Sequence, residues 1–221
     1  MANDESRTRA SYDAVAERYT VEVADELAGK PLDRALLDCL AELTRPIPKP
    51  LADVGCGPGH VAAYLAGRGA TTVGVDLSPA MIGVARRRYP GLAFEVGSVT
   101  ALPVDDAAWS GAVCAYSLIH VPADRRPTAY AELARAIVPG GWLLAAFHVS
   151  DAESGQGETR HLDEWWGTDV DLDFHFLDPD EVVDGLVRAR FEVWSRTLRE
   201  PWPQVEHQSR RAYLLARRTP F

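Results

Sequence analysis

A doubly wound α/β sheet is the fold this chain predicts, on three observations. Leu51-Ala-Asp-Val-Gly-Cys-Gly-Pro-Gly-His60 reads as a strand, a glycine turn and a helix start, led in by Pro46-Ile-Pro-Lys-Pro50. Thr71-Thr-Val-Gly-Val-Asp76 reads as a second strand, β-branched and alternating, ending in an acid about 20 residues after Gly55. Beyond it, apolar strand-like runs alternate with helical ones, the pattern of strand–helix–strand units. Together these predict a Rossmann-like sheet of seven strands, mostly parallel with an antiparallel last strand, and helices on both faces.

The elements follow in order. Met1 to Arg7 reads as a frayed end, and Ser11 to Tyr19 as a helix with Tyr12, Val15, Ala16 and Tyr19 on one side. Leu32 to Leu43 is a second amphipathic helix, stopped before Pro46. No strand separates these two, so the sheet begins at Leu51 and residues 1–45 form a helical cap. Gly55, Gly57 and Gly59 lack a Cβ and reach positive φ, so the backbone there can approach a ligand closely. The helix from Val61 to Gly67 aims unpaired N–H groups and a positive dipole end at an anionic group in the same place.

Ser78 as N-cap and Pro79 at the first helical position start a helix that runs to about Arg88. Leu92 to Val96 is the third strand and Gly111 to Tyr116 the fourth. Ala123 to Ile137 is helical, and Trp142 to Phe147 is the fifth strand. Asp151 to His175 is the least regular region. It carries Arg160, His161, Trp165, Trp166, Phe174 and Phe176, and residues 151–177 read as a lid-like insertion over an apolar substrate. Asp178-Pro179 caps a helix to about Val187, and Phe191 to Leu198 and Arg211 to Ala216 close the chain as two strands.

Composition bounds the function. A chain of 221 residues suits one domain, here 1–221, with length enough for a sizeable core. A net charge of −9 argues against a phosphate backbone as substrate, and Arg86-Arg-Arg88 suits a solvated helix end. Cys39, Cys56 and Cys114 are odd in number and widely spaced, which predicts a reducing cytosol and neither disulfides nor a metal framework. The N-terminus is polar and no apolar run approaches membrane-spanning length, so neither a signal peptide nor membrane association is expected.

The G-x-G-x-G of Gly55, Gly57 and Gly59, with Asp53 before it and Asp76 after it, resembles motif I of the class I S-adenosylmethionine (SAM) dependent methyltransferases. Val138-Pro-Gly-Gly141 between a helix and an apolar strand resembles that family's late motif. The resemblance covers roughly residues 10 to 150. It is to the small-molecule type, similar to the ubiquinone/menaquinone-biosynthesis methyltransferase domain. It implies SAM as cofactor, S-adenosylhomocysteine (SAH) as product, and methyl transfer to oxygen or nitrogen of a small apolar or aromatic metabolite.

It also implies roles. Gly55, Cys56, Gly57 and Gly59 line the methionine and ribose end, Asp53 bonds the methionine amino group, and Asp76 holds the ribose hydroxyls. Leu77, Met81, Ser98 and Val99 enclose adenine, Tyr12 and Tyr19 reach the methionine end, and Tyr116 is a further cofactor contact. Two positions depart from the family. Ser98 stands where an acid usually bonds the adenine amino group, and Ser110 where an acid follows the aromatic of Ala101-Leu-Pro-Val-Asp-Asp-Ala-Ala-Trp109.

His120, just past the fourth strand, is the first choice for a general base; His148, His161, His175 and the Glu206-His207 pair come behind it. His148, Trp165, Trp166 and Phe174 are expected around the acceptor. Tyr116 and Ser117 occupy the place where metal-dependent family members cluster carboxylates, so no metal is expected. Ala115-Tyr-Ser-Leu118 lacks the [DN]PP[YF] of amino-adenine and glutamine methylation, and no Pro-Cys dipeptide supports cytosine chemistry. Two rivals stay open. A nicotinamide-dependent oxidoreductase would need glycine where His60 stands. A non-catalytic SAM- or nucleotide-binding module would keep the cofactor residues without an elaborated acceptor pocket.

Overall fold

The computed structural model describes residues 4–23 and 25–220. In chain order these form α1 (Asp4–Val23), α2 (Pro31–Thr44), β1 (Leu51–Val54), α3 (His60–Gly67), β2 (Thr72–Asp76), α4 (Pro79–Arg88), β3 (Ala93–Val96) and β4 (Trp109–Ala115). There follow α5 (Arg126–Ala136), β5 (Ile137–Asp151), β6 (Thr159–Trp165), β7 (Thr168–His175), α6 (Pro179–Arg188), β8 (Phe191–Arg199) and β9 (Ser209–Arg218). None of the described helices is long and apolar enough to cross a membrane.

Seven strands make one sheet, as the sequence predicts, and their order is β3-β2-β1-β4-β5-β9-β8. The first five pair in parallel, and β9 runs antiparallel to both neighbours. Side chains alternate across it. Leu51, Val113 and Leu144 pack with Leu37 and Leu40 of α2 and Leu65 of α3 on one face. Ala52, Cys114 and Phe147 pack with Leu133 of α5 and Leu186 of α6 on the other. The strand order reverses between β1 and β4, so a crevice opens at their carboxyl ends, where such sheets hold ligands.

Local chemistry sets the helix starts. Ser78 Oγ accepts from Met81 N, and Asp178 accepts from Asp180 N, each followed by proline. The structure differs from the sequence reading in three places. α1 is already helical at Asp4, so Arg7 is no frayed end: it pairs with Asp171 at 2.6 Å and Asp173 at 3.2 Å (Met1 to Asn3 lie outside the described residues). Region 151–177 is largely regular, with β6 and β7 forming an antiparallel hairpin. β5 begins at Ile137 and runs through the Pro-Gly-Gly segment.

Candidate active site

The glycine turn is shaped by three positive φ angles, +76° at Gly55, +50° at Gly57 and +85° at Gly59. The three serve different ends. A Cβ on Gly55 would sit 1.8 Å from Ser117 Oγ, which donates to Val54 O at 2.7 Å and ties the ends of β1 and β4 together. A Cβ on Gly59 would meet the Phe94 ring at 2.8 Å, so that glycine serves packing and does not line the cavity. Gly57 faces open space, with only the Tyr19 ring within 3.8 Å of where a Cβ would be.

Two carboxylates hold this turn, Asp53 buried and Asp76 half-buried. Asp53 Oδ2 accepts from Ala62 N at 2.9 Å, anchoring the first turn of α3 from beneath. Asp53 faces, with Cys56, a small void of about 60 Å³ and not the main cavity. Burial pushes its carboxyl up to about 7. Asp76 accepts from Gly57 N and Ser78 N, each at 2.8 Å, and burial raises it to about 6, with Asp13 adding to the rise. Cys56 is a packing residue among Ala62, Ile82 and Phe94, its thiol pushed well up by burial.

A cavity of about 1020 Å³ runs across the carboxyl ends of the strands. Leu77, Met81, Ser98 and Val99 line one end. Gly55, Gly57, Asp76, Tyr12 and Tyr19 line its middle. Tyr116, His120, His148, Trp165, Trp166 and Phe174 line the far end. All the predicted site residues except Asp53, Cys56 and Gly59 therefore share one space.

The far end is built from side chains of distant segments. Trp165 and Trp166 stack at 4.6 Å between ring centres, and Trp165 meets Tyr12 edge-on at 5.8 Å. Ser11 Oγ bonds both the N and the O of Asp171, fastening α1 to β7. His120 links the same parts. Its Nδ1 lies 2.9 Å from Asp173 O, a carbonyl that only accepts, so Nδ1 carries the proton. Nε2 then accepts from the Tyr12 hydroxyl at 2.7 Å. Burial lowers His120 to about 4, so the ring is neutral at pH 7.

The other histidines divide. His148 stacks on Tyr116 at 4.9 Å, bonds Ser209 Oγ at 2.6 Å, and is held neutral by burial and by the nearby Arg211. His161 bonds Asp173 and His175 bonds Thr159, both away from the cavity. His207 bonds Asp151 at 3.2 Å, and Glu206 is enclosed by Arg199, Arg211 and Lys30. Ser110, the second departure, donates to Pro50 O at 3.1 Å. Among the described residues no three His, Cys, Asp or Glu side chains are grouped to hold a metal ion.

Sequence reading missed Glu5, Glu26 and Lys30, which also line the cavity. Lys30 Nζ lies 2.6 Å from Glu26, and Glu26 also meets His60 Nε2 at 3.0 Å. The i,i+4 spacing of Glu26 and Lys30, one of only two lysines in the chain, was the available signal.

Residues 51–141 match the family model of a methyltransferase domain. That stretch, from β1 to the start of β5, is similar to a methyltransferase domain. Within curated relatives, the trans-aconitate 2-methyltransferase of Methylobacterium nodulans is 36% identical over 115 residues, covering 50% of this chain and 42% of that protein. The malonyl-[acyl-carrier protein] O-methyltransferase of Serratia marcescens is 31% identical over 156 residues, covering 68% and 58%. The chain thus spans about half the length of the curated relatives it matches. The crystal structure of the 1,6-didemethyltoxoflavin-N1-methyltransferase of Burkholderia thailandensis, with 1,6-didemethyltoxoflavin and SAH bound, superposes with a TM-score of 0.71. It is 21% identical and covers 99% of this chain and 92% of that one, a likeness of fold. The glycine turn and the cavity over it fit a SAM-sized group: Gly57 leaves room for close approach, and Asp76 offers a half-buried carboxylate beside it.

Proposed function

We propose that the chain transfers a methyl group from SAM to oxygen or nitrogen of a small apolar or aromatic metabolite. One observation carries the reading: the glycine turn and Asp76 open into the same cavity as the aromatic far end, so donor and acceptor would lie end to end. SAM, when bound, supplies a methyl on a cationic sulfur with a good leaving group. The protein's task is alignment, which can supply roughly 7–11 kcal/mol of barrier reduction.

In this reading Gly55 and Gly57 admit the donor, Asp76 takes the ribose hydroxyls, and Leu77, Met81, Ser98 and Val99 enclose the base. Lys30 and Glu26 offer opposite charges to a zwitterionic amino-acid end beside Tyr19. Faces of Tyr12, Tyr19 and Trp165 favour a cation between them. His120 takes the acceptor proton through Tyr12, whose hydroxyl proton passes to Nε2 as its oxygen accepts another. His148, Trp165, Trp166 and Phe174 wall the acceptor. Residues 1–45 act as a cap and 151–177 as a lid on a single domain over 1–221, working in a reducing cytosol, with nucleic acid and membranes outside its range of partners.

Calorimetric titration with SAM, SAH and NADH tests this. Micromolar binding of the first two and none of the third supports the reading and justifies an acceptor screen. Binding of NADH alone overturns it.

A further inference from the structure

Along the carboxyl edge of the sheet, a ligand has one direction. The glycine turn follows β1, Asp76 ends β2, and Gly97 to Thr100 follow β3, its neighbour on the outer side. In the SAM reading, a nucleoside whose ribose hydroxyls rest on Asp76 would have its base beside Gly97–Thr100, which line the same cavity. That loop offers hydroxyls and no acid of its own.

A carboxylate nevertheless arrives there, from the opposite end of the sequence. Glu5 of α1 lines the same end of the cavity. Its Oε1 accepts from Ser98 Oγ at 2.7 Å and from Thr100 Oγ1 at 2.5 Å. Oε2 has no hydrogen-bond partner among the described residues. Asp4, the other acid at that end, is paired with Arg7 at 2.7 Å. Burial opposes ionisation of Glu5, but the hydroxyls of Thr100 and Ser98 and the charges of Arg125 and Arg9 outweigh it and hold the carboxyl below its ordinary value.

We infer that Glu5 is the acceptor for the exocyclic amino group of the purine, and so sets selectivity for 6-amino over 6-oxo purine nucleosides. The inference rests on the SAM reading above and deepens it. An amino group donates to a carboxylate, whereas a 6-oxo group places an acceptor against an acceptor with no proton between them. A site built to receive a donor rejects the analogue that lacks it far more strongly than a shape difference would. The same contact fixes the first turn of α1 on the loop after β3, so base recognition and seating of the cap helix are one interaction.

The test compares SAH with S-inosylhomocysteine, its 6-oxo counterpart, by calorimetry on the full chain. The wild type should prefer SAH by at least about tenfold. Glu5→Gln keeps an oxygen for the Ser98 and Thr100 hydroxyls and so keeps α1 seated, which circular dichroism checks. Its amide can also turn an N–H toward a 6-oxo group, so the preference should fall to within about threefold. A preference as large in Glu5→Gln as in the wild type overturns the inference and leaves Glu5 as a latch for α1. Failure of the wild type to bind SAH at all overturns the cofactor reading itself, and this inference with it.

Discussion

The two halves of the cavity are made by different means. The half over β1, β2 and β3 is largely backbone: Gly57 N and Ser78 N converge on one carboxylate, and the turn's shape comes from glycines at positive φ. The half over β4 and β5 is side chains from α1, β5, the hairpin and the segment before β9, meeting only because the chain folds. A backbone-built site tolerates little change and presents the same ligand-binding face in many sequences. A side-chain wall can be rebuilt residue by residue while the sheet stays put, which is how one fold comes to serve many acceptors.

That contrast can be broken most directly at Gly55. Alanine there meets both a φ of +76° and a Cβ 1.8 Å from Ser117 Oγ. The expected cost is about 3 kcal/mol or more, read as a large fall in Tm and loss of SAH binding. A wild-type melt would mean the turn has slack it does not show. Asp76→Ala is next: SAH affinity should drop by at least about tenfold, or ~1.4 kcal/mol, with the fold intact. Unchanged affinity removes Asp76 from the ribose.

Trp165→Ala probes the other half. It removes the ring that touches Tyr12, Tyr19, Trp166 and Phe174, so an acceptor's KM should rise about tenfold while SAH affinity moves less than about twofold. Equal loss on both sides would show that the halves are one energetic unit.

The halves also differ in how far the sequence reveals them. The glycine turn, Asp76 and the Ser78-Pro79 cap are local patterns, and each stands where its residue types predict. The hairpin was legible only in part. Thr168-Asp-Val-Asp-Leu-Asp-Phe-His175 does alternate, but its turn is Trp166-Gly167, both at positive φ, with tryptophan where asparagine or aspartate would signal a tight hairpin. Trp166 instead lines the cavity, stacked on Trp165. Glu5 at Ser98 and the Tyr12–His120 bond join residues about a hundred positions apart, and nothing local announces either. His120 follows β4 as predicted, yet both its ring nitrogens are engaged, which only the packed structure reveals.

The smallest effect concerns the carboxylate beneath the turn. Asp53 is raised by burial to about 7, so the folded protein holds its proton more tightly than the unfolded chain does. Its contribution to stability is therefore present at low pH and is lost as pH rises from the unfolded carboxyl range through about 7. Asp53→Asn keeps an oxygen to accept from Ala62 N and removes the charge. The variant should melt a few degrees above the wild type at pH 8, with the gap closing at pH 5, and SAH affinity at pH 8 should stay within about twofold. If the variant melts lower at pH 8, the ionised carboxylate is itself holding the first turn of α3. The backbone-built half would then depend on a side-chain charge as much as the acceptor half does.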